Sequence, residues 1–120
     1  MAKVLIISGD EGTRYLYEVA ISYQKIGVYA SGTLADGVKK VAAVKPDLII
    51  LDIMTPDMKN IDILKELKGK VGSLPLIIMT DMQKPDKNKE ASILGACQYL
   101  IKGEHSLGDL IKTVRKVVKK

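Results

Sequence analysis

Apolar residues occur in two kinds of run along this chain, and the two kinds alternate. Val4-Leu5-Ile6-Ile7, Leu48-Ile49-Ile50-Leu51 and Leu76-Ile77-Ile78-Met79 are unbroken. A strand covered on both faces reads this way, whereas a strand with one wet face alternates apolar with polar. Between these runs, apolar residues recur three and four positions apart, the spacing that lines one face of a helix. Leu16, Val19, Ala20 and Tyr23 give an inward face for a helix from Asp10-Glu11 to about Ile26, with Gly27 as its stop. Leu34, Val38, Val41 and Ala42 do the same for a helix from about Thr33 to Val44, ended by Pro46. Ile61, Leu64 and Leu67 mark a short helix over 61–68. Pro85 suits the first turn of a helix that continues through Ile93 and Leu94 to Gly95. Leu107, Leu110, Ile111, Val114, Val117 and Val118 line the last helix, which Ser106 and Asp109 open as a capping box with Asp in place of Glu. Val28-Tyr29-Ala30 and Gln98-Tyr99-Leu100-Ile101 supply two more strands.

Five strands and five helices in strict alternation predict an α/β fold, a parallel sheet with helices on both faces. Crossovers between parallel strands are right-handed. The expected architecture is a doubly wound five-stranded sheet in the flavodoxin-like order 2-1-3-4-5, one domain over residues 1–120. Ligands bind such sheets outside the carboxyl ends of the strands. Asp52 stands at the tip of the third strand, and the segments expected beside it are Ser8 to Glu11, Asp52 to Asp57, Thr80-Asp81 and Lys102-Gly103.

Composition narrows the class. A chain of 120 residues with 47% hydrophobic content suits a single core. No apolar run approaches the ~20 residues that span a bilayer, and the apolar stretch after Met1 is too short for a secretory signal. Cys97 is the only cysteine, so no internal disulfide forms; the expected setting is cytoplasmic and Cys97 reads as a small core residue. The net charge of +5 gathers at Lys84, Lys87 and Lys89 and along Lys112, Arg115, Lys116, Lys119 and Lys120. These read as solvated helix faces. With no Trp or Phe, and no aromatic interleaved with the basic residues to stack a base, direct nucleic-acid binding is not favoured.

The polar residues expected at the carboxyl edge are carboxylates (Asp10, Glu11, Asp52, Asp57, Asp81), the hydroxyl of Thr80 and the ammonium of Lys102. His105 is the only histidine and lies outside that group, which argues against a Ser-His-Asp triad. No Cys/His set has zinc spacing. Oxygen ligands with one lysine suit Mg²⁺ and phosphoryl chemistry, and a carboxylate can itself accept a phosphoryl group.

On these residues the chain resembles the receiver domain of two-component response regulators, the CheY-like family. PDLIILDIMTPDM is similar to the family's phosphoacceptor segment, LPLIIMT to its fourth strand, and GACQYLIKG to its lysine-bearing segment. The likeness runs in order along the whole chain. It implies a signalling module rather than an enzyme. Asp52 would be the phosphoacceptor, Thr80 the switch hydroxyl, Lys102 the partner of the phosphoryl oxygens and Tyr99 the switch aromatic. Asp52, Asp10 and the backbone carbonyl of Met54 would be the metal ligands. A histidine kinase or phosphotransfer protein would donate the phosphoryl group. The output partner, a protein, would bind the face made by the fourth predicted helix, the fifth strand and the last helix. No output domain follows Lys120, which fits either a stand-alone regulator or a piece of a longer one.

The departures from the family pattern are local. Two adjacent acids usually follow the first strand; Ser8 and Gly9 stand there, with Arg14 in its usual place four residues after the acid at Asp10. Gly103 replaces the proline after the lysine, Asp81 follows Thr80 where a small residue is usual, and Asn60 replaces a common glycine. A phosphoryl group adds about one to two negative charges. Losing two acids weakens the cation that would offset them. The expectation is weak Mg²⁺ binding and impaired phosphorylation. An alternative follows: a degenerate pseudo-receiver that binds a protein partner independently of phosphorylation. A flavodoxin-type phosphate loop at Ser8 to Thr13 is disfavoured, since Asp10 and Glu11 repel a phosphate.

Overall fold

The computed structural model describes residues 2–52, 55, 60–80, 98–101 and 105–118, with the backbone alone at 61, 80, 98 and 99. Its strands are β1 (Lys3–Ile7), β2 (Gly27–Ser31), β3 (Leu48–Asp52), β4 (Leu76–Thr80) and β5 (Gln98–Ile101). Its helices are α1 (Glu11–Ser22), α2 (Leu34–Val44), α3 (Ile61–Val71) and α4 (Leu107–Val118). The helix expected over 85–95 lies outside the described residues, as does Cys97.

All pairings are parallel and the strand order is β2-β1-β3-β4-β5. This is the expected doubly wound sheet. Side chains alternate across it. Leu5, Ile7, Ile49, Leu51, Leu76 and Ile78 pack against α2 and α3, with Leu34, Val38, Val41, Leu64, Leu67 and Val71. Val4, Ile6, Leu48, Ile50, Ile77 and Met79 pack against α1 and α4, with Ile21, Leu110 and Val114. The unbroken apolar strands thus feed two cores, which is why no polar alternation interrupts them. On α2, Ala42 is exposed and Gly37 is buried instead, because a Cβ at Gly37 would come within 2.4 Å of Ile7 Cδ1.

Side-chain caps set the helix starts. Asp10, Thr33 and Asn60 accept from the backbone N–H groups of Thr13, Asp36 and Ile63, which satisfies donors that the first turn leaves open. The capping box of α4 closes both ways: Ser106 N–H donates to Asp109 Oδ2 at 2.8 Å and Asp109 N–H to Ser106 Oγ at 3.1 Å. Lys45, in the left-handed conformation at φ 55°, caps α2 just before Pro46.

Helix α1 departs from expectation twice. It ends at Ser22 rather than near Ile26: Gln24 N–H bonds Ile21 O and Lys25 N–H bonds Ser22 O as the chain turns. Gly27 does not stop the helix; it begins β2, donating to Ala2 O at 2.9 Å. The face expected inward also turns out. Leu16 and Val19 are exposed, as are Tyr15, Tyr23 and Tyr29, while Ile21 is buried and Arg14 and Tyr17 are half-buried. Of Tyr15, Tyr17, Tyr23 and Tyr29, Tyr17 packs against the core.

Candidate functional site

The carboxyl edge of the sheet carries the buried polar side chains. Ser8, Ser31, Asp52 and Thr55 are the buried polar residues among those described, and all follow or end strands at that edge. Asp52 is 2% exposed and Ser8 is fully buried. Ile7 stands opposite Leu51 on the neighbouring strand, so Ser8 and Asp52 come next in register and share a face of the sheet. Ser8 Oγ donates to Asp52 Oδ2 at 2.8 Å. A hydrogen bond to a charged acceptor in a dry place is among the stronger ones.

Ser8 is held on every polar atom. Its N–H bonds Ser31 O at 3.0 Å, its carbonyl accepts from Arg14 Nη1 at 2.7 Å, and its hydroxyl accepts from Asp10 N–H at 3.2 Å. The Asp10 carboxylate turns the other way, accepting from the N–H of Thr13 at 2.9 Å and from its hydroxyl. Beside this, Thr55 N–H bonds Asp52 O at 3.0 Å. Tyr17, on the inner face of α1, has its phenol pushed above its ordinary range by burial, and next by the negative charge of Asp52. Both effects disfavour a phenolate.

Some of the sequence candidates are described at this edge and others lie outside the described residues. Thr80 ends β4 one position beyond Met79, the register partner of Asp52, and pairs in turn with Ile101 of β5. Its side chain is outside the description, as is that of Tyr99. Met54, Asp57, Asp81, Lys102 and Gly103 lie outside the described residues. His105 is exposed, and its Nδ1 accepts from Ile101 N–H, at the end of β5, at 2.9 Å.

A divalent cation prefers several carboxylate or carbonyl oxygens. Among the described residues no group of three or more His, Cys, Asp and Glu gathers anywhere. At the strand tips the described donors are one carboxylate, Asp52, already accepting from a hydroxyl, with Asp10 committed to its cap. Met54, whose carbonyl the resemblance would add as a ligand, lies outside the described residues.

In the sequence Ser8 stands at the carboxyl edge as the loss of an acid, with no sign of what it bonds. Its part as a partner of Asp52 shows only once β1 and β3 pair, when Val4, Ile6 and Ser8 fall on the same side as Leu48, Ile50 and Asp52.

Comparison with known proteins agrees with this edge. The chain matches the response regulator receiver domain over residues 4–115. It is 30% identical to the KDP operon transcriptional regulatory protein KdpE of Escherichia coli, over 96% of this chain and 50% of that one. It is 28% identical to the cell cycle transcriptional regulator CtrA of Caulobacter vibrioides, over 98% of this chain and 51% of that one. It therefore spans about half the length of these relatives. In fold it superposes on the chemotaxis protein CheY4 of Vibrio cholerae with a TM-score of 0.84 at 23% identity, covering 98% of this chain and 99% of that one. A two-component response regulator from Clostridium difficile gives 0.85 at 23% identity, covering 100% and 98%. With Asp52 buried at the tip of β3 and the strand order β2-β1-β3-β4-β5, the chain belongs to the family of response regulator receiver domains.

Proposed function

We propose that this domain receives a phosphoryl group on Asp52 from a histidine kinase or phosphotransfer protein in the cytoplasm. A carboxylate oxygen of Asp52 would form the P–O bond as the donor's P–N bond breaks, and the donor imidazole would keep its electron pair and take up a proton. Lys102 would balance the charge added to the pocket. Thr80 and Tyr99 would carry the change to a protein partner docked on the helix expected over 85–95, β5 and α4. The protein acts as a signalling module rather than as an enzyme. No described helix is long and apolar enough to cross a membrane.

The observation that carries this reading is Asp52 itself, buried at the end of an all-buried strand, where burying a carboxylate without a function is costly. Mg²⁺ binds weakly, since Ser8 and Gly9 occupy the places of the usual acids and the Asp10 carboxylate is engaged in the cap of α1. The same Ser8–Asp52 hydrogen bond favours a second reading, a degenerate receiver that engages its partner without phosphorylation. Intact-mass measurement after incubation with acetyl phosphate and Mg²⁺ separates the two. Phosphate added to the wild type and not to Asp52→Asn supports the first; no addition to either leaves the second.

A further inference from the structure

We propose that Ser8 is a positioning residue that holds the Asp52 carboxylate where a divalent cation would otherwise hold it, and that Arg14, seated against Gly32, positions Ser8 in turn. For its functional meaning this rests on the reading of Asp52 as the reacting carboxylate.

The chain of contacts is continuous. Arg14 reaches from the first turn of α1 to the carbonyl of Ser8, at 2.7 Å from Nη1. Its guanidinium lies over the loop between β2 and α2: a Cβ built on Gly32 would stand 3.2 Å from Nη1 and 3.6 Å from Cζ. The first of these is tighter than ordinary van der Waals contact, so the glycine leaves room for the guanidinium. The neighbouring Ser31 fixes the other side of Ser8 by accepting its N–H. Ser8 is thereby pinned from α1, from β2 and from the backbone of Asp10. Its hydroxyl has one proton, and the acceptor within reach is Asp52 Oδ2 at 2.8 Å. A carboxylate in the place of Ser8 would face Asp52 with a like charge and would need a cation between them. A hydroxyl faces it with a donor and needs none. The strand tip is thus ordered without metal, at the expense of a cation site.

The experiment uses the whole chain, with ¹³C-labelled aspartate, and reads the Asp52 side-chain carboxyl resonance at fixed pH and the amide shifts during titration with Mg²⁺ alone. The wild type gives no saturating response at millimolar Mg²⁺. Ser8→Asp gains a saturating response centred on Asp52, tighter by at least about tenfold, the scale of single shell changes around a metal. Ser8→Ala moves the Asp52 carboxyl resonance, while Ser8→Thr, which keeps the hydroxyl, leaves it in place. Arg14→Ala moves the same resonance in the same direction, and adding Arg14→Ala to Ser8→Ala moves it no further. Arg14→Lys keeps part of the effect and guards against a variant that fails to fold. Saturation of the wild type below millimolar Mg²⁺, or a Ser8→Asp protein that gains nothing, overturns the proposal. An Asp52 resonance indifferent to Arg14→Ala overturns the role of Arg14. Phosphate mass is measured on the same samples: its absence, with the shifts as expected, defeats the phosphoacceptor reading and leaves the positioning chain standing.

Discussion

Helices α1 and α4 cover the same face of the sheet, yet they meet it in opposite ways. α4 lays its apolar stripe on the strands, with Leu110 and Val114 buried and Leu107, Ile111, Val117 and Val118 half-buried against them. α1 turns its more apolar face to solvent, leaving Leu16 50% and Tyr23 81% exposed, and presents Arg14, Tyr17 and Ile21 to the sheet. Those three positions are spaced three and four apart, so they form one helix face as legitimately as Leu16, Val19 and Tyr23 do. The difference lies in what each helix covers. α1 starts beside the polar strand tips, and its first turn must deliver the Asp10 cap and the Arg14 guanidinium to Ser8. Hydropathy orients a helix that lies over a plain core; a polar contact at its first turn orients one that borders a site.

The largest effects should come from the two buried contact points. Ile21→Ala in α1 and Leu110→Ala in α4 each cost about 2–5 kcal/mol of unfolding free energy, measured by urea denaturation. The matched control, Leu16→Ala, costs about 0.5 kcal/mol or less, as exposed positions do. A Leu16→Ala penalty equal to that of Ile21→Ala would mean that α1 is turned round.

Next come the caps. Asp10→Ala and Ser106→Ala each remove an N-cap acceptor and cost about 1 kcal/mol. Asp10→Ala should also raise amide hydrogen exchange in the first turn of α1 and leave α4 unchanged, with Ser106→Ala giving the converse pattern. Spread of either effect across both helices would contradict their independent starts.

The smallest effects distinguish the helices by pH. Asp109 has its carboxyl held below the usual carboxylate range, first by the Ser106 N–H and then by the Ser106 hydroxyl. A group depressed on folding stabilises fully above its unfolded value and loses that contribution as pH falls through the folded one. Asp109 is only partly covered and its partners are at the surface, so the acid loss at α4 is slight. Tyr17 is the reverse case: its phenol is raised by burial and then by Asp52, so its contribution is full below the ordinary tyrosine range and lost as pH rises through the folded value. Melting temperature followed across pH should show Asp109→Asn removing a small acid-side loss and Tyr17→Phe removing a small alkaline-side loss. An alkaline profile untouched by Tyr17→Phe would place that residue away from Asp52.

How far the site could be read in advance depended on the kind of signal. Asp52 was legible because an all-apolar strand ending in a carboxylate is rare and sits where such sheets bind ligands. The Ser106–Asp109 capping box was legible because its two bonds are local and set by three-residue spacing. The end of α1 was not: Gly27 looked like a helix stop, but its N–H belongs to Ala2 across the β1–β2 pairing, a contact that exists only once the sheet has formed.

By itself the sequence determined the alternation of strands and helices and the position of Asp52, because periodicity is a property of neighbouring residues; the single expected core divides into two, one on each face of the sheet. Only the tertiary structure decided which face of α1 is wet, that Ser8 donates to Asp52, and that Gly32 makes room for Arg14. Each of those depends on segments distant in the chain meeting at one edge of the sheet, where hydrogen-bond geometry, and not hydropathy, chooses among arrangements of similar apolar burial.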